Sequence, residues 1–108
     1  MREYEMVLVV QPELEDEGVN ALIGQVSQTI TSRGGQVTQV GQLADNSGQV
    51  SGVEAWKRRK LAYPIHHQRE GYYPILHMQA GNEVLTELDR SLKLNENILR
   101  YLIVRVGE

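Results

Sequence analysis

Tyr4-Glu5-Met6-Val7-Leu8-Val9-Val10, followed by Gln11-Pro12 and then by residues 16–33, decides the fold. The first stretch is rich in β-branched and apolar residues and is apolar on both faces, which reads as a central strand. Pro12 ends it, because proline lacks a ladder donor. Beyond it the periodicity changes. Val19, Leu22, Ile23, Val26 and Ile30 recur at the 3.6-residue spacing of one helix face. Glu13, Glu15, Asp16 and Glu17 cluster where a helix dipole favours anions, and Gly34-Gly35 is a stop signal. Gly18 and Gly24 weaken the helix by about 1 kcal/mol each relative to alanine. A strand is thus followed directly by a helix.

The remaining chain extends this unit. Gln36–Leu43 alternates loosely and predicts a strand. Ala44-Asp45-Asn46-Ser47-Gly48-Gln49 is a polar turn cluster, with Val50-Ser51-Gly52-Val53 after it. A turn centred on Asn46-Ser47 sets Leu43 against Val50 and Val40 against Val53. A small hairpin and an open loop are equally compatible with Gly41, Gly48 and Gly52. Glu54–His67 extends again, with Leu61, Tyr63 and Ile65 alternating. Gln68-Arg69-Glu70-Gly71 reads as a turn and Tyr72–Ala80 as the returning strand of a hairpin. Pro64 and Pro74 favour an edge or a bulge. Asn82 is placed to cap a helix over Glu83–Lys93, whose buried stripe is Val84, Leu85, Leu88 and Leu92. Leu94-Asn95-Glu96-Asn97 breaks it, and Ile98–Val106 is the last strand. The order β-α-β-β-α-β predicts an α+β, ferredoxin-like two-layer sandwich. It has a four-stranded antiparallel sheet, the first and third strands central, and two helices on one face. The expected organisation is a single domain over 1–108 with an inserted loop or hairpin near 41–53.

With 108 residues and 41% apolar composition the chain can bury one core without staples. There are no cysteines, so thiolate chemistry and disulfides are excluded. The charged start Met1-Arg2-Glu3-Tyr4-Glu5 lacks the apolar run of a signal peptide, and Met6–Val10 is far shorter than the ~20 residues of a membrane span. A cytoplasmic protein without a membrane partner is expected. Net charge is −3, unevenly spread. Residues 1–54 carry −6, residues 55–69 carry +5 with no acid, and residues 70–108 carry −2.

The positive segment is Trp56-Lys57-Arg58-Arg59-Lys60-Leu61-Ala62-Tyr63-Pro64-Ile65. Consecutive strand residues point to opposite faces, so four cations in a row cannot be packed on both sides. Cationic protection of an edge strand explains the run. So does nucleic-acid binding, with cations on phosphates and Trp56 stacked on a base. His66, His67 and His77 do not make a metal site. The first two point apart, and a turn between Arg69 and Glu70 sets Tyr73, not His77, opposite His66. No cofactor pattern is present, and no serine has a base-and-orienter pair, so no enzyme is expected. Glu3 and Glu5 share a strand face and read as solvated. Tyr4 with Tyr72 or Tyr73 offers rings to an RRM-like sheet, yet no RNP1 stretch exists and phenylalanine is absent.

Taken together, these residues resemble the bacterial small-subunit ribosomal protein number six family, over almost the whole chain. The start Met1-Arg2-Glu3-Tyr4-Glu5 is similar to the family's Tyr-Glu opening. Pro12 and Gly34-Gly35 flank the first helix as in that family. Arg59, Leu61, Ala62, Tyr63, Pro64 and Ile65 match its most specific motif, Gly71-Tyr72-Tyr73 follows, and Asn95, Asn97, Ile98 and Arg100 resemble its ending. Departures are Lys57 in place of the usual glycine, His66, and roughly ten to twelve extra residues between Val40 and Glu54 by comparison with that family's chain pattern. The resemblance implies a structural protein of the ribosome. It implies binding to the central domain of small-subunit ribosomal RNA together with ribosomal protein number eighteen. Carried over by position, Arg2, Tyr4, Lys57, Arg58, Arg59, Lys60 and Arg100 are RNA or partner candidates. Trp56 is a candidate too, stacked on either or covering the sheet edge. The competing expectation is a ferredoxin-like regulatory module that binds a small molecule at a dimer interface.

Overall fold

Met6, Leu8 and Val10 point one way from the first strand and Val7 and Val9 the other, and the two sets meet different neighbours. In the computed structural model, which describes residues 1–43, 50–51, 56–65 and 67–107, the first set is fully buried and the second half-buried. Strand β1 (Arg2–Val10) lies between β6 (Pro74–Ala80) and β7 (Ile98–Arg105), antiparallel to both, with Met6 opposite Leu76 and Ile103. Strand β2 (Gln36–Leu43) pairs with the other edge of β6. The first strand and the one at 74–80 are therefore central, as the pattern predicts. The short β3 (Val50–Ser51) adds to β2, with Leu43 opposite Val50. That is the pairing expected from a turn centred on Asn46-Ser47; the Val40–Val53 pair lies outside the described residues.

Helices α1 (Glu15–Ser32) and α2 (Asn82–Leu94) bury their stripes in one cluster with Met6, Leu8, Leu76 and Met78. All five predicted α1 positions are buried, as are Val84, Leu88 and Leu92 of α2, while Leu85 is partly buried against the core. Each fully buried large side chain contributes roughly 1.5–3 kcal/mol. Gln11 accepts the Glu13 N–H at 2.7 Å in a short 3-10 turn, Pro12–Leu14, and Glu15 at φ 60 redirects the chain into α1. At its end the Gly35 N–H reaches the Ile30 carbonyl at 2.9 Å and the Gly34 N–H that of Thr31 at 3.1 Å. This double closure needs the left-handed φ of 90 that Gly34 supplies. The cap expected from Asn82 is not made. Asn82 is the first helical residue, and Gly81 occupies the cap position with no side-chain bond.

The hairpin also differs from expectation. Strand β4 (Arg59–Ile65) pairs with β5 (Gln68–Gly71), not with the strand at 74–80; Ile65 stands opposite Gln68, and His67 has φ 68. Gln68–Gly71 is strand rather than turn, and the inferred Tyr73–His66 pairing lies outside the described residues. The physical reason is at Gly71. A Cβ there would sit 2.8 Å from the Val10 carbonyl oxygen, so glycine permits the chain to cross the end of β1. Val10 and Tyr72 then exchange two backbone bonds of 2.9 Å, and Pro74, without a donor, starts β6. Pro64 sits in the two-stranded sheet, where the register shifts between Lys60 and Ile65. The hairpin thus overhangs the helix-free face of the main sheet, where Leu61, Tyr63 and Ile65 form a groove with Val7, Val9 and Leu102.

Candidate nucleic-acid interface

Residues 56–60 enter β4 from the side of the sheet, and four hydrogen bonds fix them. The Trp56 ring is only 7% exposed and belongs to the core cluster. Its Nε1–H donates to Asn20 Oδ1 on α1 at 2.7 Å. A buried indole needs such a partner, because its N–H otherwise loses water without compensation. The ring therefore closes the edge of the core and is withdrawn from the surface where a base would stack. The Lys57 backbone N–H donates to Oε1 of the buried Gln42 at 3.0 Å.

The two arginines are tethered through the same atom. Arg58 Nε–H donates to the Tyr72 hydroxyl at 3.2 Å, with its guanidinium carbon 5.9 Å from the ring centroid. Arg59 Nε–H donates to the Leu43 carbonyl at 3.2 Å. The Tyr72 hydroxyl, and more weakly Glu70 and Glu15, hold the Arg58 pKa above its already high ordinary value, so its charge is permanent. Lys60 stands across from Glu70 in the hairpin register. The side chains of Lys57 and Lys60 are exposed, and neither has a hydrogen bond or ion pair among the described residues.

The remaining candidates are dispersed. Arg100 is exposed on β7 opposite Val9, its guanidinium carbon 5.6 Å from the Tyr63 ring centroid, so it sits beside the hairpin on the helix-free face. Arg2 and Tyr4 lie toward the other end of β1, roughly 26 and 20 Å along the strand from Val10. Arg2 is exposed, and Tyr4 packs against the core opposite Met78. Tyr4 is turned to the helix side and Tyr72 is buried, while Tyr73 lines the groove on the helix-free face with Val7 and Val9. That face also carries His77, with Nε2 2.8 Å from Glu5 Oε2 and Nδ1 3.0 Å from Gln39 Oε1. Among the described residues no three histidine or carboxylate groups gather as a metal site.

Sequence reasoning missed the holders of this segment. Asn20 and Gln42 have no distinguishing local pattern, since each is a polar residue in an ordinary helix or strand. Tyr72 had a signal in its position after Gly71, but only the crossing over β1 reveals that its hydroxyl faces Arg58.

The family model for "Ribosomal protein S6" matches residues 3–44 and 41–105. The small ribosomal subunit protein bS6 of Moorella thermoacetica is 38% identical over 108 residues, spanning 100% of this chain and 97% of that protein. The protein of the same name from Symbiobacterium thermophilum is 36% identical over 108 residues, 100% of both chains. That of Desulforamulus reducens is 33% identical over 108 residues, again 100% of both. The crystal structure of 30S ribosomal protein S6 from Thermotoga maritima superposes with a TM-score of 0.78 at 24% identity, covering 96% of this chain and 86% of that one. The fold is thus shared with a solved ribosomal protein and the sequence with several more, and the chain belongs to the ribosomal protein S6 family.

Proposed function

We propose that this protein is a structural constituent of the small ribosomal subunit. It binds the central domain of small-subunit ribosomal RNA together with ribosomal protein number eighteen, and it works in the cytoplasm, on the ribosome. The observation that carries the reading is the cationic segment Lys57–Lys60, bonded to β2 and Tyr72 and preceded by a Trp56 bonded to α1, in a chain otherwise acidic. Family membership supports the same assignment. The −6 charge over residues 1–54 disfavours phosphate over most of the surface and suits a basic protein partner.

The partner therefore supplies much of the affinity. In a gel shift with a central-domain transcript, binding is weak for this protein alone and strong when protein number eighteen is added. Equal affinity in both arms removes the partner from the scheme. Replacing Arg58, Arg59 and Lys60 together by alanine weakens the ternary complex and flattens its salt dependence, because fewer phosphates are neutralised. An unchanged salt slope places RNA on another face.

A further inference from the structure

We infer that Arg58 and Arg59, not Lys57 and Lys60, hold phosphate in the basic segment, and that Tyr72 is the positioning residue for Arg58. The inference rests on the RNA-binding reading above. Each arginine spends its Nε–H inside the protein, Arg58 on the Tyr72 hydroxyl and Arg59 on the Leu43 carbonyl. A guanidinium fixed at Nε presents its terminal nitrogens as a planar fork, the geometry that matches two phosphate oxygens. Its rotamer freedom is already lost before RNA arrives, so less entropy opposes binding.

The lysines differ in kind. Each is a point charge on a flexible stem. Lys57 contributes its backbone N–H to Gln42, while its ammonium is exposed and unheld among the described residues. Lys60 faces the Glu70 carboxylate across the hairpin, which offsets part of its attraction for phosphate. Glu70 and Glu15 also act on Arg58, but through space, and the hydrogen bond that orients Arg58 is to the Tyr72 hydroxyl. Tyr72 is itself fixed, 4% exposed and held by two backbone bonds to Val10, so the anchor is as rigid as the core.

The test measures affinity and its salt slope for a central-domain ribosomal RNA transcript in the presence of protein number eighteen. Arg58→Lys and Arg59→Lys keep charge and remove the fork; Tyr72→Phe keeps the ring and removes the anchor. Each weakens binding about tenfold at an unchanged slope, whereas Arg58→Ala and Arg59→Ala each lower the slope by about one. Lys57→Ala and Lys60→Ala change affinity by about threefold or less, the size of a diffuse surface charge. Arg-to-Lys variants within twofold of the parent overturn the inference while leaving the RNA reading intact, since charge alone then suffices. A normal Tyr72→Phe beside a weakened Arg58→Lys overturns the role of Tyr72. Failure of the parent protein to bind the transcript overturns both the RNA reading and the inference. A melting curve of Tyr72→Phe separates lost affinity from lost fold, because a structural defect lowers the midpoint before it alters binding by the folded fraction.

Discussion

Trp56→Ala separates a core tryptophan from an RNA-stacking one. The ring is 7% exposed and bonded to Asn20, so truncation empties nearly its whole volume and orphans one acceptor. A buried Trp→Ala change costs about 3–5 kcal/mol. A domain of this size is stable by roughly 5–15 kcal/mol, so between about a fifth and the whole of its stability is at risk. At about 4 °C per kcal/mol the melting midpoint falls by about 12–20 °C. Trp56→Phe keeps much of the packing and loses the hydrogen bond, for a cost nearer 1–2 kcal/mol. Asn20→Ala costs about 1 kcal/mol in the parent and close to nothing in the Trp56→Phe background, because the bond is already gone. Urea titration followed by far-ultraviolet circular dichroism reads the parent and all four variants without relying on the chain's single tryptophan. The reasoning fails if Trp56→Ala leaves stability within about 0.5 kcal/mol of the parent, the range of an ordinary surface change, while RNA affinity drops.

Further expectations follow from other contacts. Gly71→Ala pushes a Cβ to within 2.8 Å of the Val10 carbonyl and strains the crossing of β1, for a loss of about 1–3 kcal/mol in urea unfolding. Leu88→Ala, fully buried on α2, costs about 2–5 kcal/mol in the same assay. The Tyr101 hydroxyl and then Lys93 hold the Asp89 carboxyl below its ordinary value of about 3.9. The stabilisation from this depressed carboxyl is complete at neutral pH and is lost as pH falls through its folded value, below the ordinary one. Tyr101 is the mirror case, raised chiefly by its bond to Asp89, so its contribution is present below about pH 10 and disappears as pH rises through the raised value. The gap in urea midpoint between the parent and Tyr101→Phe should therefore narrow at both extremes; a constant gap from pH 3 to 11 rules the coupling out.

Periodic features were legible in the sequence. The α1 stripe from Val19 to Ile30, the Gly34-Gly35 stop and the central β1 each follow from local pattern, because burial of one face dictates the spacing, while the Leu43–Val50 pairing is one of two readings the local pattern leaves open. Tertiary dependence hid the rest. Gln68–Gly71 has turn composition, yet Gly71 is needed for close approach to Val10, a contact between residues far apart in sequence. Asn82 has cap chemistry, but Gly81 already takes the extended conformation one residue earlier. Trp56 sits beside cations and reads as a surface aromatic. Only the position of Asn20 on the packed helix shows why the indole turns inward. The cationic site was visible as charge and invisible as geometry, since nothing local distinguishes an arginine held at Nε from a free lysine.

Strand β7 lies at the rim of the main sheet, and Leu102, Val104 and Val106 are 59%, 46% and 42% exposed. An outer strand with apolar side chains is a template onto which another chain can add, so the protein carries a built-in tendency to clump. Arg100 and Arg105 flank Leu102 and Val104 on that rim, and like charges at such an edge oppose its pairing with a second copy. Removing either arginine therefore lowers the concentration at which copies of this chain pair along the rim.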